Sequence, residues 1–396
     1  MPLLKNTVYN LFTSFLIRGS SLLALLISFN LLNNHDYYII TRFILQIEFI
    51  SGVLNVISKH ALMRRKYIAI VEVYGLIVFQ CALGLLVFLI ISLLHQQDLI
   101  ADNQYFIYFS LFIALISNNT YIFESILKSR NQYRLISKVN LFSNSLSMAV
   151  YLALAVVNPF IGVIIFVFQQ KLLLFCMAVF LTFRLGILRL KRPKLRPLVQ
   201  YHMKYAAQNI VESASSAVYR PGMQLILGQF LLKEEANFIF LALRIVEGIF
   251  YQIPVNLTQV MYTSYLSANN YFRKIAITTL AYQFFVLLCV YIILSIYPQW
   301  NSEEYSIYFM ILTCTIFPYF ILLQSQNTLM YFKLIKKYIL ASLLCKILGI
   351  AILFVLTRTA GLFGYIIAYC LTIYVTASIY YLVSTNGLAK LRPATK

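Results

Sequence analysis

The sequence predicts an all-α polytopic membrane protein, with about twelve transmembrane helices in two six-helix halves around a central cavity. Three observations predict it. The 396 residues are 61% hydrophobic and only 11% charged, at a mean hydropathy of +0.80, and a water-facing surface of that composition would aggregate. The apolar residues gather in windows long enough to cross a hydrocarbon core, which takes about 20 residues each. The charges between the windows alternate in sign from loop to loop.

In chain order, each window is bounded by its loops. The first, 8–32, follows Lys5 and ends before Asp36. Arg18 interrupts its apolar run and no small-residue cleavage site follows, so it reads as a retained first helix, not a signal peptide. Window 37–58 ends at Lys59, Arg64, Arg65 and Lys66; 67–94 ends at Asp98 and Asp102; 105–127 ends at Lys128, Arg130, Arg134 and Lys138. Windows 139–157 and 160–183 lead into the basic run from Arg184 to Lys204. Window 205–227, the most polar, ends at Lys233, Glu234 and Glu235; 238–266 ends at Arg273 and Lys274; 275–297 ends at Glu303 and Glu304. Window 306–332 ends at Lys333, Lys336 and Lys337, 338–356 at Arg358, and 361–383 at Lys390, Arg392 and Lys396. The loops on one side are basic without a carboxylate, and those on the other hold the acids. By the positive-inside rule, both termini are cytoplasmic. The net charge of +20 is then a topology signal beside anionic lipid and not a nucleic-acid footprint.

The basic run KRPKLRP, with Pro193 and Pro197, divides the chain into an N-terminal half (1–190), a linker (191–204) and a C-terminal half (205–396). Six spans per half is an even number, so the halves share one orientation, as parallel repeats do. Short echoes agree. The first window carries Asn6, Asn10, Ser14, Arg18 and Ser21 on one helical face, and the seventh carries Asn209, Ser213, Ser216 and Arg220. Asp36 precedes Glu48 by the same interval that separates Glu235 from Glu247.

Catalytic and metal signatures are missing from the sequence. The six cysteines lie singly in apolar runs, and His35, His60, His95 and His202 are isolated at span edges or in loops. There is no HExxH, GxSxG or phosphate-binding glycine loop. The pairs Glu234–Glu235 and Glu303–Glu304 read as solvated loop charge. The protein is therefore expected not to be an enzyme. Without an ATP-binding motif, its energy must come from an ion gradient, the membrane potential or the gradient of its substrate.

The informative residues are charges inside spans: Arg18, Arg42, Lys171, Arg220, Arg244 and Lys346, with Glu48, Glu72, Glu124, Glu212 and Glu247. Each basic residue at the bilayer centre costs about 2.5–3.5 kcal/mol. Six facing lipid would cost roughly 15–20 kcal/mol, more than a fold's usual total stability. Most must face a polar interior or a partner. Glu72 and Glu124 lie near cytoplasmic ends, where snorkelling or capping accounts for them. Arg244 and Glu247, three apart, suggest a local ion pair. Arg18 lies about 15 Å into its helix at 1.5 Å per residue, and neither it nor Lys346 has an acid within helical reach. Their counter-charge is a glutamate from another helix or an anionic substrate. Pro221-Gly222 breaks the polar seventh span, as is tolerated where a helix lines a cavity, although packing of small residues against another helix is the competing reading.

The run from Leu225 to Val260, LILGQFLLKEEANFIFLALRIVEGIFYQIPVNLTQV, resembles the opening of the second half of Wzx-type polysaccharide exporters. These belong to the multidrug/oligosaccharidyl-lipid/polysaccharide flippase superfamily. The matching positions are Gly228, Phe230, Glu235, Phe238, Ala242, Arg244, Glu247 and Pro254, and Lys5-Asn6-Thr7 through Arg18-Gly19 is also similar. The chain departs from the pattern where the family often has an aspartate, here near Gly222 and Met223, and where Asn237 replaces a glycine.

The resemblance implies a flippase of the bacterial inner membrane, carrying a polyprenyl-diphosphate-linked oligosaccharide (an O-antigen or capsule repeat unit) to the outer leaflet by alternating access. It implies no resident cofactor, coupling to an H+ or Na+ gradient, and a polysaccharide polymerase and chain-length regulator as partners. The diphosphate would be held by Arg18 first, then Arg220, Arg42, Lys346 and Lys171, by charge-assisted hydrogen bonds. Asn10, Ser14, Asn209 and Ser213 would contact sugar. Glu48, Glu212, Arg244 and Glu247 would gate or couple. A multidrug exporter on the same fold is the nearest alternative, though it should carry acids rather than cations in its cavity. A membrane glycan polymerase or acyltransferase is a more distant one, lacking its large outer loop or membrane-embedded histidine.

Overall fold

A backbone in lipid must satisfy its own hydrogen bonds, so sequence-distant polar side chains are left to join one helix to another. A computed structural model describes residues 2–55, 62, 68–96, 104–130, 132–189, 213–252, 254, 272–296, 303–331 and 334–389. The chain forms two compact units, Met1–Leu225 and Ile226–Lys396. The linker expected at 191–204 lies outside the described residues.

The first unit holds α1 (Pro2–Leu31), α2 (Asn34–Leu54), α3 (Ile70–Gln96), α4 (Gln104–Ser129), α5 (Tyr133–Ala155) and α6 (Pro159–Arg184). It also contains residues 213–225 of the helix α7, whose described part is 213–227. Their starts are written locally. Asn33 Oδ1 accepts from the Asp36 N–H at 2.8 Å to cap α2, and Asn158 Oδ1 accepts from the Ile161 N–H at 3.1 Å to cap α6, where Pro159 opens the helix. A two-residue parallel pair, β1 (Ile68–Ala69) with β2 (Leu188–Arg189), ties the start of α3 to the end of α6. Under it, Leu62, Val73, Ile122, Ile126, Ile136, Ala178 and Ile187 form one buried cluster.

Burial in this unit runs opposite to a soluble protein. In α3, the most apolar span, only 11% of the spanning window is buried, and Val71, Tyr74, Phe79, Leu85, Leu86, Leu89 and Leu93 are exposed. In α4 the figure is 67%, and Ser110, Ser117, Asn118, Asn119, Thr120 and Ser125 are buried. Apolar residues outside and hydroxyls and amides inside are what a lipid solvent selects. Two acids near the basic loops bear on the choice between snorkelling and capping. Glu124 forms an i,i+4 ion pair with Lys128 at 3.2 Å. Glu72 is buried at 3% exposure in the first turn of α3. A snorkelling side chain would be exposed, so burial at a helix N-terminus, with its positive dipole end, replaces that reading.

The second unit holds α8 (Lys233–Ile245), α9 (Phe272–Ile296), α10 (Glu303–Thr313), α11 (Ile316–Tyr331) and α12 (Ile335–Ala389). Glu235 reaches back to accept from the Leu232 N–H at 2.9 Å, capping α8. It is therefore a structural cap, not a solvated loop charge. α12 is two helices joined at a kink, with Ala360 and Gly361 non-helical. Gly361 has φ 57°, ψ −136°, a conformation open only to glycine. Three residues on, a Cβ at Gly364 would lie 1.9 Å from the Leu356 carbonyl oxygen, so the chain also needs glycine where the two arms meet. The expected spans 338–356 and 361–383 are these two arms. The expected span 306–332 is α10 and α11, interrupted at Cys314–Thr315.

Among the described residues, six helices are long and apolar enough to cross a membrane, and one of them, Lys336–Thr385, contains the kink. The chain is an all-α polytopic membrane protein.

Candidate functional site

The expected break at Pro221-Gly222 is present as a π-turn, Val218–Gly222, within α7. Proline has no N–H to give, and the wider turn absorbs the missing bond. Gly222 packs on Phe49 of α2, and one turn earlier Ala217 presses on Gly52, where a Cβ would lie 2.4 Å from the Ala217 Cβ. Asn55 Nδ2 donates to Ser213 Oγ at 3.4 Å across the same crossing. Small residues let two helices approach closely, so the packing reading of this segment is realised. Arg220, inside the π-turn, is exposed.

The polar interior of the first unit is built by residues that a search for charges overlooks. Asn144 of α5 is 2% exposed and joins three helices. Its Oδ1 accepts from Gln170 Nε2 of α6 at 2.7 Å and from Ser21 Oγ of α1 at 3.4 Å, while its Nδ2 donates to Ser20 Oγ. Two turns further along, Ser28 and Tyr151 share a hydrogen bond at 2.6 Å, and Tyr151 donates to the Ala24 carbonyl at 3.0 Å. A second seam joins α2 to α4. Ser51 Oγ donates to Asn118 Oδ1 at 2.8 Å, Asn118 Nδ2 returns to the Ser51 carbonyl at 3.0 Å, and Ser110 donates to Gln46 at 3.5 Å.

The expected cations lie beside these seams. Arg18 is exposed on α1, one residue before Gly19 and two before Ser20. Lys171 is partly buried, next to Gln170. Arg42 of α2 is partly buried, its guanidinium 5.8 Å from the Tyr38 ring centroid. Glu48 lies on α2, partly buried. Asn10 and Ser14 are on α1, but their side chains, like Asn209 and Glu212, lie outside the described ones. The structure joins Ser213 to α2, and it adds Asn144, Gln170, Ser51, Asn118 and Tyr151 as the groups that organise the unit. The signal for Asn118 was its pairing with Asn119 inside an apolar span.

The second unit gathers a different set. α8 passes into a π-turn at Val246–Phe250. Glu247 sits in that turn, partly buried, and its Oε1 accepts from the Tyr369 hydroxyl of α12 at 2.6 Å. Arg244 lies over the Phe240 ring at 4.9 Å. Next to Glu247, Tyr251 is buried, stacks on Tyr319 at 3.8 Å between ring centroids, and shares a 2.5 Å hydrogen bond with Thr315.

Thr315 marks the interruption between α10 and α11, and side chains satisfy the freed backbone there. Gln283 of α9 accepts from the Phe317 N–H at 3.1 Å, and Tyr374 donates to the Cys314 carbonyl at 3.2 Å. At the π-turn after α8, Tyr282 donates to the Phe250 carbonyl at 3.1 Å. A broken helix at membrane depth is tolerated where protein groups serve it in this way. Lys346 lies on the first arm of α12, partly buried. Among the described residues no three His, Cys, Asp or Glu gather as metal ligands.

No family model matches the sequence, and no curated protein matches it. Solved structures do match over nearly the whole chain. The MATE transporter VcmN of Vibrio cholerae, in a mutant form, superposes with a TM-score of 0.65 at 12% identity, covering 98% of this chain and 96% of that one. An inward-facing multidrug resistance MATE family transporter of the MOP superfamily gives 0.62 at 14% identity, covering 99% and 96%. A MOP superfamily transporter from Pyrococcus furiosus, whose reversed binding-pocket polarity was taken to suggest a different function, gives 0.61 at 14% identity, covering 98% and 96%. The chain has the fold of these transporters.

Proposed function

We propose that the protein is a flippase that carries a polyprenyl-diphosphate-linked oligosaccharide, an O-antigen or capsule repeat unit, from the cytoplasmic to the outer leaflet of a bacterial inner membrane by alternating access. The fold supports membrane transport. The observation that carries the cargo is the sign of the intramembrane charge. Arg18, Arg42, Lys171, Arg220 and Lys346 all lie on described helices, and Arg18 stands beside the Ser20–Ser21–Asn144–Gln170 seam. A diphosphate is an anion that guanidinium groups bind by bidentate, charge-assisted hydrogen bonds, and a seam of hydroxyls and amides suits sugar. Glu48, Arg244 and Glu247, with Glu212, supply the gating or coupling groups, driven by an H+ or Na+ gradient. A polymerase and a chain-length regulator would work beside it. The reversed pocket polarity described for the Pyrococcus furiosus neighbour supports the view that this fold is not confined to one kind of cargo.

A multidrug-type exporter is the second reading. The carboxylate and aromatic rings around Glu247 favour it, because that chemistry suits cationic aromatics. The two separate by competition. Diphosphate-linked glycan should protect the protein thermally and cationic dyes should not; protection by dyes alone would transfer the assignment to the exporter.

A further inference from the structure

In the first unit, α4 and α6 meet along a stripe of aromatic rings. Phe106 meets Phe160 at 6.3 Å between ring centroids, Phe109 and Phe112 meet Phe168 at 5.6 and 6.3 Å, and Phe123 meets Phe175 at 5.9 Å. The pairs rise together along both helices, which therefore run parallel. Asn119 lies on α4 two turns after Phe112 and one turn before Phe123. Lys171 lies on α6 one turn after Phe168 and one turn before Phe175. Residues at such intervals share a helical face, so the rings that align the two helices bring Asn119 and Lys171 to one stretch of their interface.

The two residues have opposite needs. Asn119 is 7% exposed, and its Oδ1 is buried with no hydrogen-bond partner among the described residues. Its neighbours are already engaged: Asn118 with Ser51, and Thr120 with the Ile116 carbonyl. A buried amide oxygen left in that condition is uncommon and destabilising. Lys171 is partly buried and follows Gln170, so it borders the polar seam of Ser20, Ser21 and Asn144. An ammonium offers three donors and no acceptor, whereas Oδ1 only accepts. A phosphate ester alone presents acceptors. It would serve Lys171 and leave Asn119 stranded. A ligand that places a donor beside its anion serves both. Sugar diphosphates do so, because the carbon next to the anomeric centre carries a hydroxyl or an acetamido N–H.

We propose that Asn119 and Lys171 form a subsite that reads the junction between the diphosphate and the first sugar of the cargo. Lys171 holds a phosphate oxygen, and Asn119 Oδ1 accepts from the hydroxyl or acetamido N–H beside it. The inference rests on the flippase reading and deepens it by naming a residue that separates glycan-bearing carrier from bare carrier. The two carriers share tail and anion, so neither the lipid nor the cations can tell them apart. A buried acceptor can, because the ligand that lacks the donor leaves it unpaired.

The test is binding to the full chain in nanodiscs, with farnesyl diphosphate and farnesyl-diphosphate N-acetylglucosamine as the two probes. The intact chain should prefer the sugar-bearing probe by about tenfold, the worth of one well-placed hydrogen bond. Asn119→Leu should reduce that ratio to about one, and Asn119→Ala, which removes the same oxygen without added bulk, should do likewise. Lys171→Gln should weaken both probes. Without ligand, Asn119→Leu should raise the unfolding midpoint, because it removes a buried acceptor that the protein leaves unserved; an amide with a merely structural role would lower it. A preference that survives both Asn119 variants, a lowered midpoint in Asn119→Leu, or probes that Lys171→Gln binds as tightly as the intact chain would overturn the proposal. Equal affinity of the intact chain for the two probes would sink the subsite and leave the flippase reading standing, whereas binding of neither probe would remove both.

Discussion

Arg18 and Asn144 lie at two ends of what a sequence can disclose about a residue. Arg18 is legible because a guanidinium in an apolar run violates the solvent. Asn144 is one neutral amide among several in α5, and only the fold shows that it holds Ser20, Ser21 and Gln170 together. The two predict different phenotypes. Arg18→Ala removes an exposed cation, so transport should be lost while thermal stability in detergent stays within experimental error. Asn144→Leu strands Gln170 and Ser20 in the interior. It should cost about 1–3 kcal/mol of stability, read as a lowered unfolding midpoint, because buried polar partners keep their desolvation penalty. The mirrored acids were legible by interval alone. Asp36 and Glu235 each sit in the first turn of a helix, where each makes a capping contact, and Glu48 and Glu247 follow on the same two helices. What each second acid bonds to was not legible, since Tyr369 lies far along the chain.

At the scale of elements, the windows that fall on described residues coincide with helices, because the hydrocarbon core fixes length and the charged loops fix the ends. The departures from regular helix were half visible. Pro221 announced the π-turn in α7, and the kink in α12 fell at the expected boundary between two spans. The π-turn at Val246–Phe250 and the interruption at Cys314–Thr315 carry no proline at the break itself, so tertiary bonds from Tyr369, Tyr251 and Gln283 maintain them. Pro221→Ala restores an N–H where the π-turn forms. Amide hydrogen exchange across Val218–Gly222 should slow, and transport should fall several-fold with helix content unchanged. Gly361→Ala forces a side chain into a conformation that glycine alone tolerates, and should destabilise the protein by about 1–3 kcal/mol in thermal unfolding.

For the whole molecule, composition and charge alternation already describe a polytopic membrane protein. The solved structures that match add the fold without sequence identity to lean on. The proposed orientation rests on the charge of the loops. In a cysteine-free background, a cysteine at Lys138 should be labelled by impermeant maleimide only from the cytoplasmic side, and one at Glu304 only from outside. Labelling of both from one side would break the alternation on which the twelve-span reading depends. Cargo is the property least determined by fold, because multidrug MATE transporters share it. Under the proposed function, the cations inside the spans select an anionic cargo.

The central claim is therefore tested most directly on purified protein in sealed proteoliposomes, with a fluorescent polyprenyl-diphosphate oligosaccharide in one leaflet and a membrane-impermeant glycan-cleaving enzyme outside. The account predicts cleavage of the whole lipid pool with the intact chain, and of only the initially outward-facing fraction with Arg18→Ala. Equal cleavage in protein-free vesicles and with the intact chain would contradict it.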